Sequence, residues 1–338
     1  MFQFSFRNST FARCCAAFAI AVFAMQSFVS CRSCASETAS DNPHKSDSTA
    51  LSTLPPAMKF SEDSAYAFIE RQIAFGPRVP ATDAHDRCAR YLADAFRNFG
   101  ADTIITQQFT ATAYNGDKLP LTNIMARFNT GQPDRILLAA HYDTRPWADR
   151  EKRAELVNTP VLGANDSASG VAVLMEIARL MQQKLPAIGV DILLTDGEDY
   201  GNSNGWANSD TTWCLGTQYW TEHMPADYAA MRPRYGILLD MVGGHYARFH
   251  REYISDIFAP SVIDRVWGIA DRSGYSRFFV NKQGGSVVDD HLFINNAGIP
   301  MADIIDVNNE ATGNFPSTWH TADDNIDGIS KSTLQAVG

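Results

Sequence analysis

Cysteine is scarce in the body of this chain. Of the six cysteines in 338 residues, only Cys88 and Cys214 lie beyond residue 34. No Cys-x-x-Cys pair has a second such pair or paired histidines nearby, which argues against a zinc site built from thiolates. A disulfide between Cys88 and Cys214 stays open, because the sequence does not show whether their Cα atoms approach each other.

Basic charge is scarce as well. The chain has 28 Lys and Arg against 38 Asp and Glu, and its formal net charge is -10. The negative charge is spread along the chain rather than collected in a tail. A nucleic-acid partner needs a basic face, so we expect none. Internal repeats are also lacking, and the composition, 45% hydrophobic and 20% charged, is typical of a globular protein.

No apolar run reaches the roughly 20 residues that span a bilayer comfortably. The run from Cys14 to Val29 follows Arg7 and Arg13, and this order predicts an export signal. The residues Phe28-Val29-Ser30-Cys31 favour a bacterial lipoprotein signal with the lipid on Cys31, although Cys34 is a second candidate. The expected location is then the periplasm or the outer membrane. Secretion without a lipid is the alternative.

A polar segment rich in Ser, Thr, Asp, Asn and Pro follows this run. Such a segment buries too little apolar surface to offset the entropy lost on ordering. We therefore expect a signal peptide over residues 1–30, a disordered tether over residues 31–58, and one folded domain over residues 59–338.

Apolar runs without polar alternation predict strands that are buried on both faces. Three such runs are Ile136–Ala140, Asp191–Thr195 and Gly236–Leu239, and a helix with Val171 and Leu174 on its apolar side lies between the first two. This alternation predicts an α/β fold, a single three-layer domain in which helices flank a mixed, mostly parallel central sheet. Sites in such folds form at the carboxyl ends of the strands.

Each of the three predicted strands leads into a His or an acidic residue. His141 follows the first, Glu198 and Asp199 follow the second, and Asp240 follows the third. Adjacent carboxylates repel each other unless a cation or a shared proton compensates. Zinc takes oxygen and nitrogen ligands in a roughly tetrahedral set, so two carboxylates and one His from separate loops are sufficient. Glu198 would remain free to move protons.

The order of these motifs resembles the zinc aminopeptidase superfamily. The series is His141-x-Asp143, Gly163-Ala164-Asn165-Asp166, Glu198-Asp199, Asp240 and His320. A finer resemblance to the glutaminyl cyclases rests on four segments: Asp196–Asp199, Leu238–Gly243, Val288–His291 and Phe315–Asn325.

The resemblance implies a zinc-binding role for several of these residues. Asp166, Asp199 and His320 would bind one Zn²⁺. His141 and Asp240 occupy the positions that hold a second metal in the dinuclear aminopeptidases, so a second zinc stays open. Asp199 departs from the mammalian cyclases, which have Glu at this position.

The resemblance also implies catalytic and substrate-binding roles. Glu198 would be the general acid and base, supported by a hydrogen-bonded acidic pair, Asp240 and Asp289. The walls of the glutamine pocket would be Trp319, Phe315 and, with an unusual spacing, Trp206. We interpret Trp213 as helix packing, with a substrate contact as the alternative, and Arg145 either as part of the pocket rim or as a member of a salt bridge.

The activity implied by the resemblance is a zinc-dependent conversion of N-terminal glutamine to pyroglutamate with release of ammonia. The partner would be a peptide or protein with a free N-terminal glutamine, and we expect a monomer. A dinuclear zinc aminopeptidase is the alternative enzyme, and a non-catalytic surface binding lipoprotein is the alternative from another class. Glu198 argues against the latter. The family usually has a longer closing helix after the position of Lys331, so whether the C-terminus at Gly338 is truncated stays open.

Overall fold

The computed structural model of the protein describes residues 58–204 and 209–338. The expected signal peptide, nearly all of the expected tether, the anchor at Cys31 and the proposed pocket residue Trp206 lie outside the described residues. They remain predictions.

Helices occupy much of the described chain, and polar side chains cap the N-termini of several of them. Ser61 accepts a hydrogen bond from Ser64 N at the start of the first helix, and Thr82 caps the second in the same way. The helices are α1 Glu62–Ile73, α2 Asp83–Asn98, α3 Ala168–Gln183, α4 Ser209–Thr212, α5 Leu215–Glu222, α6 Tyr253–Phe258, α7 Pro260–Arg272, α8 Asp290–Asn296 and α9 Lys331–Val337.

Six strands of the described chain form one sheet, and two short strands pair separately. The strands are β1 Thr103–Thr112, β2 Lys118–Phe128, β3 Arg135–His141, β4 Gly189–Thr195, β5 Gly236–Leu239, β6 Phe249–Arg251, β7 Phe279–Gln283 and β8 Met301–Ile304. The main sheet has the order β1-β2-β4-β3-β5-β8, and β6 pairs with β7. In the main sheet β1, β2 and β4 are antiparallel neighbours, whereas β4, β3, β5 and β8 run parallel.

Successive residues of the central strands pack into different apolar clusters on the two faces of the sheet. Leu138 and Ala140 of β3 pack with α1, α2 and α3, whereas Leu137 and Ala139 pack with Trp220 of α5 and Ile294 of α8. Helices therefore cover both faces. The predicted three-layer α/β domain with a mixed, mostly parallel sheet is confirmed. No helix within the described residues is both long and apolar enough to cross a membrane.

A close contact between α3 and the sheet brings two polar loops together. A Cβ on Gly170 would lie 2.2 Å from the carbonyl oxygen of Leu239, so glycine is needed for this approach. The contact joins the first turn of α3 to the end of β5. Asp166, just before α3, and Asp240, just after β5, are consequently neighbours at the carboxyl edge of the sheet.

Candidate functional site

Asp166, Asp199 and His320 meet at the carboxyl edge of the sheet. His320 Nε2 lies 2.9 Å from Asp199 Oδ1 and 3.8 Å from Asp166 Oδ2. One ligand atom from each of the three residues lies within 4.8 Å of the other two. The three come from separate loops, before α3, after β4 and before α9. All three side chains are buried, which favours binding of a cation over solvation by water.

His141 and Asp240 form a second group that shares Asp166 with the first. His141 Nε2 lies 3.0 Å from Asp166 Oδ1 and 3.3 Å from Asp240 Oδ1. These three residues also place one ligand atom each within 4.8 Å of the others. Asp166 therefore directs Oδ1 at His141 and Oδ2 toward His320, and it lies between the two groups.

The donor atoms of the first group fit a zinc ion. Asp199 Oδ2 is buried without a hydrogen-bond partner, and Asp199 Oδ1 has only the approach of His320 Nε2 at 2.9 Å, which is costly for a carboxylate that has no cation beside it. Two carboxylates and one imidazole are a donor set that Zn²⁺ accepts. The peptide bond between Asp166 and Ser167 is cis.

Two further carboxylates hold the backbone of the ligand loops. Asp143 accepts hydrogen bonds from Glu198 N at 3.2 Å and from Asp199 N at 3.1 Å. Asp324 accepts from Asn165 N at 2.8 Å and from Asp166 N at 3.0 Å. Each of these buried carboxylates thus fixes a loop that bears a candidate ligand.

Glu198 lies beside the first group of candidate ligands, and several of its neighbours are acidic. Burial raises the pKa of Glu198 well above its ordinary value, and the charges of Asp289 and Asp199 raise it further against the opposing effect of His141. The Cys214 thiol donates a hydrogen bond to Glu198 Oε1 at 3.4 Å. Glu198 therefore holds a proton at a pH at which an exposed glutamate has lost it.

Asp240 and Asp289 line the same cavity as Glu198, but no hydrogen bond joins them in the part of the chain that the structure describes. The hydrogen bond expected between them stays a prediction, and the charge of each affects the other. Asp289 caps α8 through Asp290 N at 2.5 Å, which orients its carboxylate along that helix. Burial raises the pKa of Asp289 well above its ordinary value, and the charge of Asp240 adds to this. Burial, together with the charge of Asp166, raises the pKa of Asp240 to about 6.

Aromatic rings form the wall of a cavity of about 490 Å³ above these groups. The ring centroid of Trp319 lies 4.3 Å from that of Phe315 and 3.9 Å from that of His320. The predicted aromatic wall is therefore adjacent to the first group of candidate ligands. Trp213 also lines the cavity, with its ring stacked 6.2 Å from that of His320. The interpretation of Trp213 as helix packing is wrong, because this residue lies in the turn between α4 and α5.

The remaining side chains discussed from the sequence have structural roles. Arg145 is buried and forms a salt bridge to Asp149 at 2.7 Å, the second of its two interpretations. His291 lies between Glu252 and Asp303, at 3.1 and 3.5 Å. Cys88 and Cys214 are both free and buried, so they form no disulfide.

Asp149 is a residue of the site that the sequence did not reveal. Its Oδ1 lies 3.2 Å from His320 Nδ1, on the side of the ring opposite the candidate ligand atom. The two residues are 171 positions apart, and Asp149 belongs to no strand end or motif. Only the tertiary fold brings them together.

The known proteins that are similar to this chain include both peptidases and glutaminyl cyclases. The sequence profile of Peptidase family M28 matches residues 123–338. A solved structure of Bacteroides thetaiotaomicron glutaminyl cyclase bound to N-acetylhistamine is 44% identical and covers 83% of this chain and 96% of that chain, with a TM-score of 0.79. A solved Zn-dependent exopeptidase from Parabacteroides distasonis is 43% identical and covers 84% of this chain and 97% of that chain, with a TM-score of 0.80.

Curated relatives are more distant. Aminopeptidase YwaD of Bacillus subtilis is 27% identical over 62% of this chain, which spans only 40% of that relative's length. Glutaminyl-peptide cyclotransferase of Drosophila melanogaster is 25% identical over 76% of this chain and 73% of the relative.

Proposed function

Since the chain belongs to peptidase family M28, we propose that it is a zinc-dependent glutaminyl-peptide cyclotransferase. It converts the N-terminal glutamine of peptides or proteins to pyroglutamate and releases ammonia. The substrate is a chain with a free N-terminal glutamine.

The observation on which this proposal rests is the aromatic cavity above an acidic, buried proton carrier. Trp319, Phe315 and Trp213 provide flat apolar walls, and Glu198 lies at the base beside the candidate ligands. A neutral side chain that ends in a planar amide fits between aromatic rings better than a charged side chain does. The 44% identity to a glutaminyl cyclase over 96% of that chain agrees with this choice.

Asp166, Asp199 and His320 are the residues that we propose to hold the zinc ion. When bound there, zinc supplies a Lewis acid for the γ-carbonyl oxygen of the glutamine. We propose one zinc per chain.

Glu198 performs the proton transfers in this proposal. The α-amine nitrogen forms a bond to the γ-carboxamide carbon, and the bond from that carbon to the amide nitrogen breaks. Glu198 takes a proton from the attacking amine and returns one to the departing nitrogen, which leaves as ammonia. The raised pKa of Glu198 favours the protonated carboxyl group that returns a proton to the departing nitrogen.

Asp289 assists Glu198 through its charge, Asp240 acts on Asp289 in the same way, and the rings assist by orientation. The negative charge of Asp289 strengthens the affinity of Glu198 for its proton. Trp319 and Phe315 hold the glutamine side chain so that the amine and the carbonyl carbon lie in reacting geometry. This removes an orientational cost that is large in free solution. They also exclude water, which the reaction does not need.

An ammonia-release assay with a glutaminyl dipeptide tests the proposal on the zinc-loaded protein. A leucyl-anilide assay is run beside it. We expect ammonia release without aniline release. Aniline release without ammonia would show that the protein is an aminopeptidase.

A dinuclear zinc aminopeptidase is a second candidate, and the second group of ligand atoms favours it. His141, Asp166 and Asp240 place one donor atom each within 4.8 Å of the others, as a second metal would require. In that enzyme Glu198 is the base for an attacking water. Two zinc ions per chain, together with aniline release, would establish this alternative.

We also propose that the chain is exported and anchored by a lipid on Cys31, and that it is a monomer. The basic and apolar order of residues 1–30 supports export. Cys31→Ala and Cys34→Ala variants, compared by detergent partitioning of cell extracts, test the anchor. Loss of partitioning in Cys34→Ala alone would move the anchor to Cys34, and sedimentation velocity tests the monomer.

A further inference from the structure

The two nitrogens of the His320 ring face different carboxylates. Nε2 faces Asp199 at 2.9 Å and Asp166 at 3.8 Å, and Nδ1 faces Asp149 Oδ1 at 3.2 Å. A neutral imidazole carries its proton on one nitrogen and offers a lone pair on the other, so the partner of Nδ1 decides which nitrogen binds a cation. His320 is only 2% exposed, which leaves water little access to the ring.

Asp149 is itself held in place from two directions. Arg145 Nη2 donates to Asp149 Oδ2 at 2.7 Å, and the Ser203 hydroxyl donates to the same oxygen at 2.5 Å. Arg145 Nη1 also donates to the carbonyl oxygens of Asp199 and Gly201, both at 2.8 Å. The side chain that holds Asp149 therefore also holds the loop of a second candidate ligand.

The backbone next to Asp149 contacts the His320 loop independently. Arg150 N donates to the carbonyl oxygen of His320 at 3.1 Å, and Glu151 Oε2 accepts from Ala322 N at 3.3 Å. His320 has a φ of 53°, a left-handed conformation that is costly for a residue with a Cβ. The segment 149–151 thus fixes both the strained backbone and the ring of His320.

We propose that Asp149 is a positioning residue that accepts the Nδ1 proton of His320 and directs the Nε2 lone pair at the space between Asp166 and Asp199. This inference rests on the proposed function, since it requires that His320 binds zinc. It adds to the site a residue outside the ligand set and outside the aromatic wall. Asp149 acts on the metal only through the imidazole ring.

Asp149→Asn tests the role, with Glu155→Gln as the matched control. Both variants replace a carboxylate by an amide in the loop between β3 and α3, but Asp149 faces the ring and Glu155 is exposed. The amide that Asp149→Asn introduces would be able to donate to Nδ1, which would hold the proton on Nε2 and block the ligand atom. We expect zinc affinity, measured by competition with a chromophoric chelator, to fall about 10- to 100-fold in Asp149→Asn. In Glu155→Gln it should stay within about 2-fold of the wild type, because that side chain is exposed to solvent.

Two further measurements separate positioning from folding. The thermal midpoint of metal-free Asp149→Asn should stay near that of the metal-free wild type. In the zinc-loaded wild type, ¹⁵N-edited NMR of the histidine rings should show a slowly exchanging Nδ1 proton on His320. Unchanged zinc affinity in Asp149→Asn, an equal loss in Glu155→Gln, or a freely exchanging Nδ1 proton would each overturn the proposal. The NMR result decides even if Asp149→Asn does not fold.

These measurements do not depend on turnover. If the wild type releases no ammonia but Asp149→Asn binds zinc more weakly than the wild type, the cyclase proposal is refuted and the inference on Asp149 stands. If the wild type forms pyroglutamate but Asp149→Asn binds zinc as tightly as the wild type, the inference is refuted and the cyclase proposal stands.

Discussion

Glu198 is the residue whose chemistry depends most on its surroundings. It is buried beside Asp199 and Asp289, and burial together with their charges raises its pKa. The thiol of Cys214, a weak donor, contacts its carboxyl group. A carboxyl group with a raised pKa accepts a proton and donates it again, as a general acid and base must do.

Replacement of Glu198 by Gln should abolish the reaction and leave the metal bound. Gln has the same size but cannot take up the amine proton, so we expect ammonia release to fall at least about 100-fold. Zinc content, measured by atomic absorption, should not change, because the proposed ligands are other residues. Glu222→Gln, at the exposed end of α5, is the control. If Glu198→Gln keeps more than about a tenth of the activity, another residue transfers the proton.

The candidate ligands were predictable from the sequence because each follows a recognisable element or motif. Glu198 and Asp199 come directly after a continuous apolar strand, and His320 is part of a distinctive segment. Trp213 and Asp149 were not predictable in the same way. Each lies in an irregular loop, where no periodicity relates a residue to the side of the molecule that it faces.

At the scale of the elements, packing between α3 and β5 sets the distance between the candidate ligands Asp166 and Asp240. Gly170 has no room for a side chain, because a Cβ would lie 2.2 Å from the Leu239 carbonyl oxygen. Any added atom must displace the helix or the strand. Asp166 and Asp240 lie at the adjoining ends of these elements, so their separation would change as well.

Gly170→Ala should therefore destabilise the protein, by about 1–3 kcal/mol as in other overpacked cores. Gly268→Ala is the matched control, since Gly268 also lies in a helix but a Cβ there would meet only the flexible end of Arg272 at 3.3 Å. In that control alanine should be neutral or stabilising by about 0.5–1 kcal/mol. Urea unfolding of both variants measures the difference. Equal stabilities would show that α3 tolerates the extra atom.

A buried ion pair joins α2 to the end of β4. His85 Nε2 lies 2.8 Å from Asp196 Oδ1, and the Tyr142 hydroxyl donates to Asp196 Oδ2 at 2.9 Å. Burial alone would lower the pKa of His85, but the charge and hydrogen bond of Asp196 outweigh it and raise the pKa to about 9. The folded state therefore binds the His85 proton more tightly than the unfolded chain, in which the pKa is 6.5.

The stability that this pair contributes should be complete below pH 6.5 and disappear as the pH rises through about 9. For the zinc-loaded wild type we expect the free energy of unfolding to fall across this window by an amount on the order of 3 kcal/mol. His85→Gln has no group that titrates there, so its dependence on pH should be flatter. Urea unfolding at several pH values measures both proteins, and parallel curves would contradict the assignment.

Strand positions were more predictable than strand neighbours. Apolar runs located the central strands β3, β4 and β5, because strands buried on both faces have no polar alternation. The antiparallel contact of β2 with β4 was not predictable, since it depends on packing between segments far apart in the chain. The pair β6 and β7 was also missed, because β6 has three residues and no measurable period.

At the scale of the whole molecule, the proposed metal offsets charge that the fold concentrates in one place. The chain carries a formal charge of -10, and Asp166, Asp199 and Asp240 are buried together at one edge of the sheet. Removal of a cation from this group leaves several buried carboxylates close together with little water to solvate them. The bound ion should therefore stabilise the whole domain.

Chelation of zinc should lower the thermal midpoint together with the activity. At a zinc concentration about 100 times the dissociation constant, binding contributes about 2.7 kcal/mol, which corresponds to a shift of about 5–10 °C for a domain of this size. Differential scanning fluorimetry with and without chelator measures the shift, and added zinc should reverse it. His320→Ala should show no such shift. A midpoint that does not respond to chelator in the wild type would refute a resident zinc ion.

The carboxylate of Asp166 faces both groups of ligand atoms, one oxygen toward each. One carboxylate thereby couples the two groups. A substitution of Asp166 should disturb both groups at once, whereas a substitution of His141 or Asp240 should disturb the second group alone.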